Sequence, residues 1–394
     1  MKTLNCINIM SLSFFMAASV YANIEFVSYD AEAIQYNKKH MGQKKLAFDK
    51  LKMLADTALE STVDPVTNKT LFPASGNKND YFSFGPYWWP NPDTENGLPY
   101  IRRDGEYNQA TKSAATDKQR FIRFTKDVVN LGLAYYFTDD ERYALKAITQ
   151  LNAWFVNPET MMNPHLEHAQ AIPGIVDGRG IGIIESRLLI PVLDSINILK
   201  GKMEQEQYDA IIKWFDEFNT WLLTSNHGFE EDNWHNNHGT WYDAQVVAFS
   251  MFVGKNDIAK KRLRITQMRR IGGQFDSEGK QHGELERTRP WHYSNFNLEA
   301  YNYLGHFGQR LNVDVWNYEV DKHSLENGYR FIANYINENN EWPYKELKGF
   351  DPNIAYKNIL YANYAYGTES FNKALFELKL NKENEIKIEN LLFN

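Results

Sequence analysis

The sequence predicts an all-α protein built as an α/α barrel of antiparallel helix hairpins. Two observations carry this. Beyond about Asp117, apolar residues recur at steps of three and four almost everywhere, and the connections between the stripes are short. No run alternates with period two for long enough to build a large sheet. Amphipathic helices joined by short connections pack as neighbours, and repeating that hairpin through one long domain curls it into a barrel.

The first 22 residues stand apart. Lys2 precedes an apolar stretch through Ile7, Met10, Leu12, Phe14, Phe15 and Met16, and the segment closes on Ala17, Ala18, Ser19, Val20, Tyr21 and Ala22. A charged start, an apolar core too short to span a bilayer and a small-residue end describe a secretory signal, cleaved after Ala22 to leave Asn23 first. The single cysteine, Cys6, leaves with it, so no disulfide or thiolate site is expected. Cys6 also lacks the small residues that precede a lipid-anchored cysteine. A periplasmic or secreted protein is therefore expected, with no membrane span. Residues 23–394 contain no Pro/Gly/Ser-rich linker or low-complexity stretch, which predicts a single domain.

Within that domain, Phe121, Phe124, Val128, Leu131 and Tyr135 form one buried stripe. Leu188, Val192, Ile196 and Leu199 form the next, with a kink expected at Pro191 and a cap at Gly201. Tyr208, Ile211, Phe215, Phe218 and Leu222 mark a third helix; Trp241, Gln245, Ala248, Phe249 and Phe252, stopped at Gly254, mark a fourth. Two long irregular segments interrupt the pattern, Leu71 to Gln109 and Ile271 to Trp291. Long loops in a compact domain usually carry function.

A net charge of -7 governs solubility and steering but not local chemistry, so a polyanion-binding site would have to gather its cations locally. Aromatic residues make up 14% of the chain, enough to supply sugar-stacking surfaces as well as a core. Three segments concentrate chemistry. WHNNHGTWYD, Trp234 to Asp243, opens a helix capped by Asn236 or Asn237, where Asn237, His238 and free backbone amides present an anion-attracting end. GELERTRPWHYSNF, Gly283 to Phe296, groups Arg287, Arg289, His292 and Tyr293. Arginine grips a carboxylate with two parallel donors, and a nearby cation lowers a tyrosine pKa, readying the phenol for proton transfer. A helix over about Asp257 to Arg270 returns the chain so that both segments share one rim. In the third segment Tyr87, Trp88 and Trp89 form a stiff aromatic ridge between prolines, followed by Arg102 and Arg103; it reads as a sugar platform or as a hydrophobic lid.

The strings GPYWWPNP, LPYIRRDGEYN, GRGIGIIESRLLIPVLDSI, NNHGTWYDAQ and ELERTRPWHYSNFNLEA occur in this order across about residues 80–305, and together they resemble the alginate lyase superfamily, which includes polysaccharide lyase families five, seventeen and thirty-eight. The spacing is most similar to family thirty-eight. The resemblance implies an α/α toroid, an incomplete helical barrel with long loops over a cleft, needing no metal or other cofactor. It implies β-elimination on a uronate polymer such as alginate, polymannuronate or glucuronan, with Asn237, His238, Arg287 and Tyr293 in the catalytic roles. In family five the matching arginine lies seven residues before the tyrosine, where this chain has Glu286. Tyr87, Trp88, Trp89, Arg102, Arg103, Arg179, Trp241, Arg289 and His292 are the expected substrate contacts. The expected partner is an anionic polysaccharide, not a nucleic acid.

Other classes leave different traces. A glycoside hydrolase needs two opposed carboxylates, for which Glu185, Glu230, Glu231, Asp232 and Asp243 are available. A glycan-binding protein would use the aromatics alone. A zinc hydrolase could draw on His165 with His168, or His235 with His238, but neither pair has a convincing third ligand.

Overall fold

The computed structural model describes residues 24–337 and 340–393, so the expected signal segment lies outside the described residues. The first helices among the described residues are α1 (Ala31–Lys39) and α2 (Lys45–Glu60), which the periodicity had not singled out. Asp30 caps α1 by accepting the Ala33 amide. The first long loop then carries three short strands, β1 (Phe82–Phe84), β2 (Trp88–Trp89) and β3 (Ile101–Arg102).

Helices follow: α3 (Lys118–Thr138), α4 (Glu141–Phe155), then strand β4 (His168–Ala171), parallel to β1, and a 3-10 stretch from Gly180 to Leu189 that runs into α5 (Ile190–Leu199). Next come α6 (Gln205–Thr224), α7 (Asn226–Asp232), α8 (Asn237–Phe252) and α9 (Asn256–Ile265). A π-helical turn, Thr266–Ile271, leads to α10 (Gly272–Gln274), and α11 (His282–Leu285) and α12 (Pro290–Leu311) follow. The hairpin of β5 (Glu319–Val320) and β6 (His323–Ser324) precedes α13 (Leu325–Asn337), α14 (Tyr356–Tyr366), α15 (Glu369–Lys379) and α16 (Lys382–Glu385).

The arrangement is an all-α toroid. Helix α3 packs against α2, α4 and α5; α8 packs against α6, α9 and α12; α12 continues to α14, and α13 pairs with α15. The predicted stripe of α3 is buried throughout. On α8 burial extends around nearly the whole helix, because it runs between the outer helices and α12. The ends of the described chain also meet: the Asn37 side chain donates to the carbonyls of Leu391 and Phe393 at 3.0 and 2.8 Å.

Two local expectations change. Pro191 occupies the first turn of α5, where its missing N–H costs nothing, so it starts that helix instead of kinking it. Gly201 lies within a 3-10 turn that continues α5, and the cap falls elsewhere. The helix expected over Asp257–Arg270 exists but widens into the π turn at its end. The wider turn brings Thr266 and Arg270 into line with Arg262 beneath α8. All three reach Asp243, which is fully buried. Arg270 also donates to the carbonyls of Trp234 and Asp232 at 3.0 and 2.8 Å, fixing the loop that enters α8. Gly239 has no room for a side chain, since a Cβ there would collide with the Trp234 carbonyl and the Arg270 guanidinium.

Candidate active site

The site forms where α8 begins. Asn236 is the cap, its side chain accepting the His238 amide at 3.2 Å. That leaves Asn237 in the first turn, buried, with its amide aimed at Glu284 on α11. The backbone N–H of Asn237 and its Nδ2 both donate to Glu284, the latter at 3.0 and 2.8 Å to the two carboxyl oxygens. Glu284 is 1% exposed, and burial raises its pKa to about 7 against the pull of the Asn237 bonds, Arg287 and His238. Glu284 thus ties the two predicted segments together.

His238 turns its Nδ1 to Glu231, 2.9 Å away. Glu231 is wholly buried, and burial raises its pKa, with His238 opposing. When the carboxylate accepts the Nδ1 proton, the other ring nitrogen, Nε2, is left with its lone pair. The dyad can serve as an oriented base.

Arg287 makes a two-point contact with Asp104, Nε to Oδ2 at 3.1 Å and a terminal nitrogen to Oδ1 at 2.9 Å. Its guanidinium carbon lies 3.9 Å from the centre of the Tyr293 ring. Thr288 closes on the same carboxylate, and Gly105 beside it adopts φ +73, with no space for a Cβ against the Thr288 hydroxyl. Tyr293, in the first turn of α12, donates its hydroxyl to that of Tyr87 at 2.7 Å.

The expectation that neighbouring arginines lower the Tyr293 pKa is overturned. Burial raises it well above the ordinary value, Tyr87 raises it further, and Arg287 offsets only part of this. The physical reason is position: Arg287 stacks on the ring face while neutralised by Asp104, and Arg289 contributes a backbone carbonyl to the Tyr293 amide. The phenol is held protonated, and such a group can deliver a proton.

The remaining expected contacts divide. In the β2–β3 ribbon Trp88 pairs with Arg102 and Trp89 with Ile101, so the two indoles point to opposite faces. Arg179 lies over Trp88 at 5.8 Å and Arg103 over Trp89 at 5.2 Å. The expected continuous ridge is therefore split, and of its three residues Tyr87 is the one that meets Tyr293. Arg102 is exposed and paired with Asp104 at 2.8 Å. Arg179 is held by Gln170, and burial pulls its pKa down to about 10. Trp241 is buried against Phe296. His292 stacks on the same Phe296 ring, and burial, then Arg289, lowers its pKa to about 4.

Of the carboxylates weighed for hydrolysis, Glu231 is committed to His238 and the other four are engaged outside the site. Glu185 holds Lys118, Tyr81 and Ser83, Glu230 accepts the Gly180 amide, and Asp232 and Asp243 belong to the arginine cluster under α8. His165 and His168 both turn to Asp80, at 3.2 and 3.7 Å, and His235 is exposed. Among the described residues no three His, Cys, Asp or Glu side chains are grouped to hold a metal ion. No helix among them is long and apolar enough to cross a membrane.

Sequence reasoning missed Glu284, Asp104 and the pairing of Glu231 with His238. Glu284 and Asp104 lie inside the singled-out segments, but isolated acids in basic strings carry no visible signal of their partners.

The alginate lyase family model matches residues 65–342. No curated protein matches the chain. Among solved structures, an alginate lyase from Bacteroides ovatus superposes with a TM-score of 0.90 at 32% identity, covering 94% of this chain and 100% of that one. Alginate lyase A1-III from Sphingomonas species A1 superposes with a TM-score of 0.52 at 12% identity, covering 84% of this chain and 91% of that one, a likeness of fold alone. Taken with the extent of the family match, the Bacteroides relative places this chain in the alginate lyase family, and the protein is a polysaccharide lyase.

Proposed function

We propose that residues 23–394 form one exported lyase domain that cleaves alginate-type polyuronates by β-elimination, through Asn237, His238, Arg287 and Tyr293. The reaction removes the hydrogen alpha to a uronate carboxylate and expels the glycosidic oxygen from the adjacent carbon. That hydrogen becomes acidic only when the carboxylate charge is neutralised, and the dianionic intermediate needs donors already in place. Asn237 and Arg287 suit this work. The observation that carries the reading is Glu284, which binds Asn237 directly and lies in the electrostatic field of Arg287 and His238, gathering one constellation from two distant segments.

Tyr293, kept protonated by burial, is suited to protonating the leaving oxygen. In guluronate the hydrogen and the leaving oxygen lie on opposite faces, so a second group must act as base, and the His238–Glu231 dyad supplies it. In mannuronate and glucuronate they share a face, and Tyr293 can take and return the proton only after first losing its own. The raised phenol pKa therefore gives Tyr293 no advantage as the base on mannuronate. His238→Ala should lower kcat on polyguluronate at least about tenfold more than on polymannuronate, measured as unsaturated uronate formed at 230 nm. Equal losses on both polymers would make His238 a carboxylate neutraliser instead of a base.

The pH profile follows from Glu284. Above its pKa of about 7 the carboxylate accepts both Asn237 donors; below it the proton removes part of that acceptor capacity. The free-enzyme profile of kcat/KM should therefore fall as pH drops through about 7, and Glu284→Gln should flatten that limb while lowering the plateau. An unchanged limb in Glu284→Gln would assign the ionisation to another group.

A further inference from the structure

Beyond Asn237 and Tyr293, one turn further along α8 and α12, a second charged group lines the interior. Arg187, on the 3-10 stretch before α5, is half-buried, and its guanidinium carbon lies 5.7 Å from the Trp241 ring centre and 5.0 Å from that of Phe296. One terminal nitrogen donates to the Ile184 carbonyl at 2.9 Å. Among the described residues no carboxylate is ion-paired with it.

The acids nearby are already matched. Lys118 binds Glu185 at 2.7 Å, and Lys357 binds Glu299 at 2.8 Å. Each pair cancels, so Arg187 leaves this region one net positive charge. Burial lowers the Arg187 pKa, Glu299 and Glu185 oppose that from a distance, and among the described residues no carboxylate touches it to offset the desolvation. Of the two pairs, Lys357–Glu299 still faces open space, its side chains 23% and 36% exposed, whereas Lys118–Glu185 is nearly buried at 13% and 6%.

The region is continuous with the candidate active site. Phe296 stacks on His292, 6.1 Å between centres, and His292 adjoins Tyr293 at 5.2 Å. On the other side Lys118 lies over Tyr107 at 5.6 Å, and Tyr107 meets Tyr87, the partner of the Tyr293 hydroxyl. A polyuronate carries a carboxylate on every sugar. Asn237 and Arg287 answer one of them, and the neighbouring sugar brings another.

We propose that Arg187, framed by Trp241 and Phe296, is a second carboxylate subsite that holds the uronate next to the one that reacts. This rests on the polyuronate reading above. The two rings flank the guanidinium, and among the described residues one of its terminal nitrogens is committed to the Ile184 carbonyl, so its other donors suit a carboxylate, which arginine's planar fork grips better than lysine does. Because the contact is remote from the reacting carbon, it contributes to binding more than to the chemical step.

The test compares wild type, Arg187→Gln and Arg187→Lys on polymannuronate and polyguluronate, with thermal midpoints confirming folding and kinetics repeated at low and high salt. Production of unsaturated uronate by the wild type checks the lyase reading separately. Arg187→Gln should raise KM about tenfold or more with kcat within about threefold, and its KM should depend less on salt than that of the wild type. Arg187→Lys, which keeps the charge and is the milder change for folding, should recover part of the affinity. In a Tyr293→Phe background, calorimetric titration with a uronate trisaccharide should show the same loss of affinity for Arg187→Gln. Unchanged KM and trisaccharide affinity in either folded variant, with an active wild type, would overturn the subsite. A fall in kcat at constant KM would overturn it too, moving Arg187 into the chemistry.

Discussion

Tyr293→Phe is expected to lower kcat by roughly 10²–10⁴-fold, the usual contribution of a positioned acid or base, while KM stays within about threefold. The substitution removes one oxygen and leaves the ring under the Arg287 guanidinium, so the cation–ring contact at 3.9 Å and the Arg287–Asp104 pair survive. Tyr87 loses its partner but is half-buried and can turn to water, so the structural cost is small. Steady-state kinetics on polymannuronate and polyguluronate would check this, with Tyr87→Phe as the control expected to lose far less. A Tyr293→Phe enzyme that keeps more than about a tenth of its turnover would show that another group carries the proton. If both polymers lose turnover equally, the tyrosine protonates the leaving oxygen in both; a deeper loss on polymannuronate would mean it also takes the first proton there.

The largest expected effect on stability comes from Arg270→Met. Arg270 is 2% exposed and serves Asp243, Asp232 and the Trp234 carbonyl at once. Removing it strands a wholly buried Asp243 with Arg262 and Thr266 as remaining partners, and breaking such a buried pair costs about 3–5 kcal/mol. Urea unfolding should show a lower midpoint with an unchanged slope. The double replacement Arg270→Met with Asp243→Leu should lose less than Arg270→Met alone, because it also removes the stranded charge. Equal losses would mean the guanidinium matters for its backbone contacts to the 232–234 loop and not for the ion pair. Since that loop leads into Asn236 and the start of α8, activity should fall with stability as temperature rises.

The elements most legible in the sequence were those whose burial is one-sided. The stripe of α6, and that of α3 as far as Val128, is apolar on one face because only that face is covered, and a period near 3.6 records it; from Leu131 to Phe137 α3 is buried all round. The short motifs gave the candidate residues, since Asn-capped helix starts and arginine-rich turns are local devices. Pro191 misled the reading because proline breaks a helix interior but begins a helix well, and where α5 starts depends on the preceding 3-10 stretch.

What the sequence by itself determined, then, was the helical class and the order of the hairpins, and it supplied the candidates for donors and proton carriers. The tertiary structure alone decided their partners: Glu284 with Asn237, Glu231 with His238, Asp104 with Arg287, and the Trp241 and Phe296 rings with Arg187. It also decided the protonation state of Tyr293, which adjacency to arginine had suggested would be low and burial made high. The physical reason is that periodicity and capping depend on residues three or four apart, whereas desolvation and ion pairing depend on what the toroid brings from as far away as the 183 positions between Asp104 and Arg287.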